Sequence, residues 1–240
     1  MPQSRKNIIL LSLIAALAAG LLAGCTEKQA APATPTETQA AAPTASASAS
    51  PEVTVTKADI EKKLEQDKTG IQSAVWSPDA SAVVFTRRDS SGSSVCIWKV
   101  NHEKELAVRK AETTPKTYLW SPDSKYFLIE ISHTSQSTIT GSIVEAKTLK
   151  SIGDDVTTVA ASAPVWSPDS KYLALSAMDD STNTIRLDIY ALLSQTTATA
   201  VTATGARGPY IVEYWKDETI GYTEMTASGE RAEQTVKIGG

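Results

Sequence analysis

Histidine and cysteine are nearly absent. The 240-residue chain holds two of each, too few histidines for a three-histidine zinc site. Both His102 and His133 sit in polar stretches that read as loops. The familiar catalytic signatures are missing as well: there is no His-Glu-x-x-His, no Gly-x-Ser-x-Gly and no glycine loop fit to cradle a phosphate. Basic runs are absent, and the formal net charge is −4. A mildly acidic chain without a basic stripe is a poor partner for nucleic acid. Long apolar runs are reduced to one, Ile8 to Leu22. At about 15 residues it falls short of the roughly 20 that a spanning helix needs.

That run is informative by its flanks. Arg5-Lys6 precedes it, and Leu22-Ala23-Gly24-Cys25 ends it. A basic start, an apolar middle and small residues at a cut site make a secretory signal. The ending resembles the lipobox of bacterial lipoprotein precursors. The resemblance implies that residues 1–24 are removed and that Cys25 becomes the acylated N-terminus, its thiol taking the diacylglyceryl group. One acyl chain holds a protein weakly on a bilayer and two hold it well. The expected protein is therefore extracytoplasmic and membrane-tethered. Thr26 follows the cysteine, where an Asp would resemble an inner-membrane retention signal; the reading is the outer membrane where the cell has one. Of the 23 Lys and Arg, two leave with the signal, so 21 basic residues then face 27 acidic ones, a net charge of −6. With Cys25 acylated, Cys96 is left without a disulfide partner. It lies in Val95-Cys96-Ile97-Trp98-Lys99-Val100, which reads as a strand, and is expected to be a buried structural thiol.

Residues 25–52 are dominated by Ala, Pro, Thr and Ser. Such a segment has little to bury and is expected to act as a disordered spacer. Residues 53–240 are enough for one domain. Val53-Thr54-Val55-Thr56 alternates like a short strand, and Lys57 to Lys68, with Ile60 and Leu64 one turn apart, reads as a short amphipathic helix ended by Gly70.

The strongest signal in this part is repetition. Trp76-Ser77-Pro78-Asp79 recurs as Trp120-Ser121-Pro122-Asp123 and as Trp166-Ser167-Pro168-Asp169, with a degenerate copy at Trp215-Lys216-Asp217. The tryptophans are 44, 46 and 49 residues apart, and each is followed by an apolar strand. Ser-Pro-Asp suits a tight turn, because Pro presets φ and the Ser and Asp side chains bond the local backbone. Trp offers a broad surface for packing between sheets. A unit of about 45 residues with four short strands is one propeller blade.

The repeat resembles that of TolB-type, WD-repeat-like propellers, marked by Trp-Ser-Pro-Asp-Gly, over about residues 70–240. The resemblance implies an all-β fold, here a small propeller of about four blades with a short N-terminal helix. The family's Gly is replaced by Ala80, Ser124 and Ser170. Members with six or so blades form a wider ring than this chain has room for. The first blade is expected near 72–76, 82–87, 95–100 and 105–109. The fourth runs Tyr210 to Trp215, Thr219 to Met225 and Glu233 to Ile238, one strand short. An unpaired edge is a liability, so Val53-Thr54-Val55-Thr56 is expected to supply the missing outer strand and close the ring.

The motif aspartates recur in register, as turn residues do and a unique active site does not. Asp179-Asp180 with Ser181, Thr182 and Asn183 has calcium-compatible oxygens but reads as a solvated loop. Arg87-Arg88-Asp89, at a strand end, reads as an exposed turn, and no base accompanies the serines at 90, 91, 93 and 94. No catalytic residue, cofactor or metal is assigned. The resemblance implies a non-catalytic module that binds a protein or an envelope polymer. Two alternatives stand: an accessory propeller of a peptidase, acting in trans because no hydrolase domain is present, and a sensor of glycans or small ligands. The latter needs exposed aromatics, and Trp98 is the single Trp outside the repeat.

Overall fold

The computed structural model describes residues 54–111, 113–132, 138–179, 181–182, 184–204, 208–225 and 228–238. Cys25, the signal and spacer segments, Val53, His133, Asp180 and Asn183 lie outside them.

The domain begins with helix α1 (Lys57–Gln66). Thr56 caps it: its hydroxyl accepts from the Asp59 amide, and the Asp59 carboxylate accepts from the Thr56 amide. This reciprocal box satisfies amides that the first turn cannot. Four antiparallel sheets follow in chain order. The first holds β1 (Ile71–Trp76), β2 (Ala82–Asp89), β3 (Gly92–Lys99) and β4 (Leu106–Ala111). The second holds β5 (Thr117–Trp120), β6 (Tyr126–Ser132), β7 (Thr138–Glu145) and β8 (Val156–Val159). The third holds β9 (Val165–Trp166), β10 (Tyr172–Asp179), β11 (Thr184–Ala191) and β12 (Thr196–Thr204). The fourth holds β13 (Ile211–Lys216), β14 (Thr219–Met225) and β15 (Arg231–Lys237). Every sheet is a meander of neighbours in sequence.

The sheets stack through three apolar cores. Val84 and Ile97 of the first sheet meet Phe127 and Ile129 of the second. Leu128 and Ile143 of the second meet Leu173 and Leu175 of the third. Ala174, Leu187 and Ile189 of the third meet Val212, Ile220 and Tyr222 of the fourth. A fourth core lies on the far face of the first sheet, where Val83, Phe85, Cys96 and Trp98 pack against Val55 and Ile60. Among the described residues no core joins the fourth sheet to the first. The stack is an open fan.

The expected closing strand is therefore corrected. The fourth sheet ends at β15. Val55 is buried on the first sheet instead, and its carbonyl accepts from the Asn101 amide at 2.8 Å. The reason is the apolar outer face of β2 and β3. Among the described residues no sheet precedes them, and Val55 and α1 cover that face. The Arg87-Arg88-Asp89 reading is corrected in part: the three are the end of β2, with Arg88 and Asp89 exposed, but the half-buried Arg87 ties Asp67 beyond the helix (2.6 Å) to Glu105 before β4 (2.5 Å). No described helix is long and apolar enough to cross a membrane.

Ile60 is fully buried in the contact between α1 and the first sheet. Ile60→Ala is expected to cost about 2–5 kcal/mol, the usual range for a truncated core aliphatic. Urea unfolding of residues 53–240 measures it. A loss below about 0.5 kcal/mol, as at a surface site, would show that the helix does not seal the domain.

Candidate functional site

The three Ser-Pro-Asp segments form one turn, repeated. In the first, the Ala80 amide donates to the Ser77 carbonyl (2.9 Å) and the Ser77 amide to the Ala82 carbonyl (2.8 Å). The Ser77 hydroxyl donates to Asp79 Oδ1 (2.6 Å) and accepts from the Ala82 amide (3.1 Å). Asp79 Oδ1 also accepts from the Ser81 amide (3.0 Å). Ser121 and Asp123 repeat these contacts, as do Ser167 and Asp169. Burial works against ionisation of the three carboxyls, but the donors outweigh it and hold all three below the usual carboxylate range: hydroxyls and amides at Asp79, the Lys125 ammonium with the Ser121 hydroxyl at Asp123, and the Ser167 hydroxyl with the Lys171 ammonium at Asp169. These residues fasten the turns.

The position that departs from Gly carries a second function. Ala80, Ser124 and Ser170 have φ of 56°, 62° and 62°, a region in which side chains are strained. The two serines use their side chains: Ser124 Oγ accepts from the Asp79 amide of the preceding turn (3.1 Å), and Ser170 Oγ from the Asp123 amide (3.0 Å). Ala80 stands in the first turn, which has no predecessor to bond. A parallel row of bonds runs through the tryptophans. Trp120 Nε1 donates to the Val75 carbonyl (3.0 Å) and Trp166 Nε1 to the Leu119 carbonyl (3.3 Å).

Trp120 and Trp166 are thus core between sheets, as expected. Trp76 is not: it packs toward α1, with Lys57 Nζ 4.7 Å from its ring centre. Trp215 stacks on Tyr172 (6.2 Å between centres, 22° between planes) and donates to the Asp217 carbonyl. Its turn shrinks to Asp217-Glu218, the two residues between the paired Lys216 and Thr219.

Other candidates are absorbed by structure. Trp98 is buried under α1, with Lys63 Nζ 5.1 Å from its ring centre, and its indole donates to the His102 carbonyl. Cys96 is buried, and that burial, helped by Glu105, pushes its thiol up to about 11; such a thiol is unreactive. Asp179 accepts from the Ser181 amide and hydroxyl in a local turn. Among the described residues no group of three or more His, Cys, Asp or Glu could hold a metal ion.

Two surfaces combine charged and aromatic side chains. Between the second and third sheets lies a cleft of about 490 Å³ lined by Asp154, Asp155, Arg186, Asp188 and Tyr190. Its charges are held in place: Asp188 accepts from Arg186 Nε (3.3 Å) and the Thr199 hydroxyl (2.8 Å), and Asp155 accepts from Ser142, itself bonded by Arg109. The second surface is the outer face of the fourth sheet. Half-exposed Tyr214 lies on Gly221, where a Cβ would come within 2.2 Å of its ring. Thr223, Arg231, Glu233 and Thr235 line the same face, around a depression of about 660 Å³. Sequence reading missed both surfaces. The cleft joins residues from two sheets, and the signal for the face, a Gly and two Thr where the other sheets carry aliphatics, is visible only once the strands are aligned.

The chain matches no protein-family model and no curated protein. It does match solved structures. An acylaminoacyl peptidase of Pyrococcus horikoshii is 11% identical with a TM-score of 0.50, over 70% of this chain and 32% of that one. A structure from a study of two prolyl endopeptidases is 11% identical with a TM-score of 0.51, over 71% and 28%. The β-propeller domain of the trilobed protease of Pyrococcus furiosus is 14% identical with a TM-score of 0.48, over 65% and 50%. The domain is a β-propeller. The chain spans about a third or less of the length of the two peptidases, and at this identity the likeness is one of fold.

Two outcomes follow from the turns. Ala80→Gly relieves a positive φ, which costs about 1–2 kcal/mol, against about 0.4–1 kcal/mol of added chain entropy; thermal melting should be unchanged or raised. Ser124→Gly also loses an inter-blade hydrogen bond worth about 1 kcal/mol and should melt below Ala80→Gly. Equal melting of the two would remove the role given to Ser124.

The second outcome concerns pH. The turn aspartates have depressed folded pKa values, so their contribution is full above the unfolded value near ~3.9 and is lost as pH falls through the lower folded ones. Glu130 is the opposite case. It is 1% exposed with Oε1 unpartnered, and burial, opposed by Lys116, raises its pKa. Its charge therefore destabilises the domain above that raised pKa. Glu130→Gln should increase the urea midpoint at pH 7, the gain shrinking as pH falls through the raised value. Joint replacement of Asp79, Asp123 and Asp169 by Asn should lower the midpoint at pH 7 and flatten its fall below about pH 4. A profile unchanged by either set refutes the assignment.

Proposed function

We propose that this protein is a membrane-anchored extracytoplasmic lipoprotein whose propeller binds a protein or an envelope polymer and performs no chemistry itself. The Leu22-Ala23-Gly24-Cys25 ending supports the anchor. The Ala/Pro/Thr/Ser segment that follows supports a spacer lifting the domain from the bilayer. Thr26 in place of Asp favours the outer membrane where the cell has one.

The observation that carries the binding reading is the difference between the two ends of the fan. The first sheet is sealed by α1 over an apolar face. The fourth is left open, offering Tyr214, Arg231, Glu233 and Thr235 side by side. An aromatic beside both signs of charge is a composition suited to recognition. Meanwhile the repeated Ser and Asp side chains are committed to turns. A second reading, an accessory propeller acting on a peptidase in trans, draws on the fold likeness to the acylaminoacyl peptidase and prolyl endopeptidases. A Tyr on a flat Gly floor also favours a glycan among the envelope polymers.

Mass spectrometry of the native protein should find an acylated Cys25 at the mature N-terminus, and Cys25→Ser should leave an unmodified precursor. A different N-terminus, or Cys25 without acyl mass, overturns the anchor. Crosslinking in intact cells should recover a partner that Tyr214→Ala reduces. Recovery of a peptidase whose turnover changes with the propeller would favour the second reading. Turnover of peptidase, esterase or glycosidase substrates by residues 53–240, abolished by one point substitution, would overturn the non-catalytic reading.

A further inference from the structure

The first three sheets have four strands, and the fourth has three among the described residues. The Ile238 amide donates to the Glu218 carbonyl (2.7 Å), which sets the alternation of the β14–β15 ladder. In an antiparallel pair every second residue turns both its N–H and its C=O toward the partner. Ala232, Gln234 and Val236 therefore bond toward β14. Arg231, Glu233, Thr235 and Lys237 direct their backbone groups away from it, along an edge seven residues long that pairs with no other strand among the described residues.

Beside this edge is a second feature. A groove of about 370 Å³ lies between the third and fourth sheets, lined by Ile189, Ala198, Ala200, Val236 and Ile238 among others. It lies between β12 and the end of β15, where an outer strand of the fourth sheet would pack. Its floor is built of small residues, and Ala198 is exposed. In the earlier sheets the outer strands bury aliphatics: Val108 and Ala111 from β4, Val156 from β8. Among the described residues the fourth sheet has the floor and the hydrogen-bonding edge for such a strand without the strand.

We infer that the free edge of β15 accepts an extended segment of a partner protein as the fourth strand of the last blade. The segment runs antiparallel to Arg231–Lys237, exchanging main-chain hydrogen bonds at Glu233, Thr235 and Lys237. Its alternate residues are small aliphatics that enter the groove over Ala198 and Ala200. The residues between them face Arg231 and Glu233, which favours an acidic and a basic side chain at the matching positions. A second copy of this chain fits less well. In the register that pairs all seven residues of β15 with themselves, Arg231 opposes Lys237 of the second copy at both ends, and like charges directly opposite are destabilising. Strand addition of this kind draws affinity from the main chain and selectivity from alternate pockets. This inference rests on the binding reading above and names its surface.

The test is residue-resolved amide exchange on the acylated full chain in detergent, with a peptide copying β12 (Thr196–Thr204) as the probe strand. At saturating peptide the amides of Glu233, Thr235 and Lys237 should slow by more than about tenfold, while those of Ala232, Gln234 and Val236, already bonded to β14, should not change. Thr235→Pro removes an edge donor without removing a bond to β14, and Ala198→Arg fills the groove. Each should weaken peptide binding by about tenfold or more with melting unchanged. No slowing at saturation overturns the inference, as does edge protection without peptide accompanied by a dimer mass. If crosslinking in cells recovers the same partner with Thr235→Pro as with the native chain, the edge is excluded and the binding reading stands. If neither chain recovers a partner, the binding reading itself fails.

Discussion

A strand with apolar side chains on both faces has to be covered twice, and this constraint organises the domain. In β2, Val83 and Phe85 point one way and Val84 the other. In β6, Phe127 and Ile129 oppose Leu128, and in β10, Leu173 and Leu175 oppose Ala174. None of these sheets can leave either face to water without exposing several aliphatic side chains, each worth about 1.5–3 kcal/mol of burial. Stacking satisfies the interior faces and leaves two ends. At one end α1 and Val55 supply the missing cover. At the other the pattern stops: Ile220 and Tyr222 of β14 face the third sheet, while the outer side carries Gly221 and Thr223. A ring would need an apolar face there. The polar one marks the end of the stack, as capping repeats do in linear arrays.

Apolar packing alone would let neighbouring sheets slide. Two rows of directional bonds restrict them: indole to carbonyl from Trp120 and Trp166, and amide to hydroxyl at Ser124 and Ser170. Both rows skip the first motif, which has no preceding sheet among the described residues, and neither includes the fourth, where the turn is shorter. The motif is thus two devices in one. Ser-Pro-Asp shapes a hairpin, and the residues flanking it fix that hairpin to its predecessor.

Much of this was legible in the sequence because it repeats. The strands expected near 72–76, 82–87 and 95–100 appear as Ile71–Trp76, Ala82–Asp89 and Gly92–Lys99, and the fourth blade was read one strand short, as found. Periodicity names faces but does not say which neighbour covers them. The unpaired edge of the fourth blade therefore points Val55 to the far end of the stack, whereas the apolar outer face of β2 and β3 is what it covers. The role of Ser124 and Ser170 was hidden for a related reason. Their departure from Gly is visible in the sequence, but the amide that compensates it belongs to another blade. Arg87 was misread because its partners, Asp67 and Glu105, lie 20 and 18 residues away in chain segments that reach it only after folding. The cleft at Asp155, Arg186 and Asp188 is assembled from two sheets and has no local signature.

An open stack differs from a closed ring in how its parts are coupled. Each sheet shares core with its neighbours alone, so stability approximates a sum of sheet and interface terms, with the ends weakest. The first end is reinforced by a capped helix and the Arg87 ion pairs. The last has, among the described residues, three strands, one packed face and an unpaired edge. Ordering that edge would add bonds where the fold has fewest, and the gain would pass to the third sheet through Ile189, Val212 and Ile220. A recognition surface at the last blade thus lies where the stack has most to gain from a bound strand, far in the chain from the N-terminal segment that would tether it.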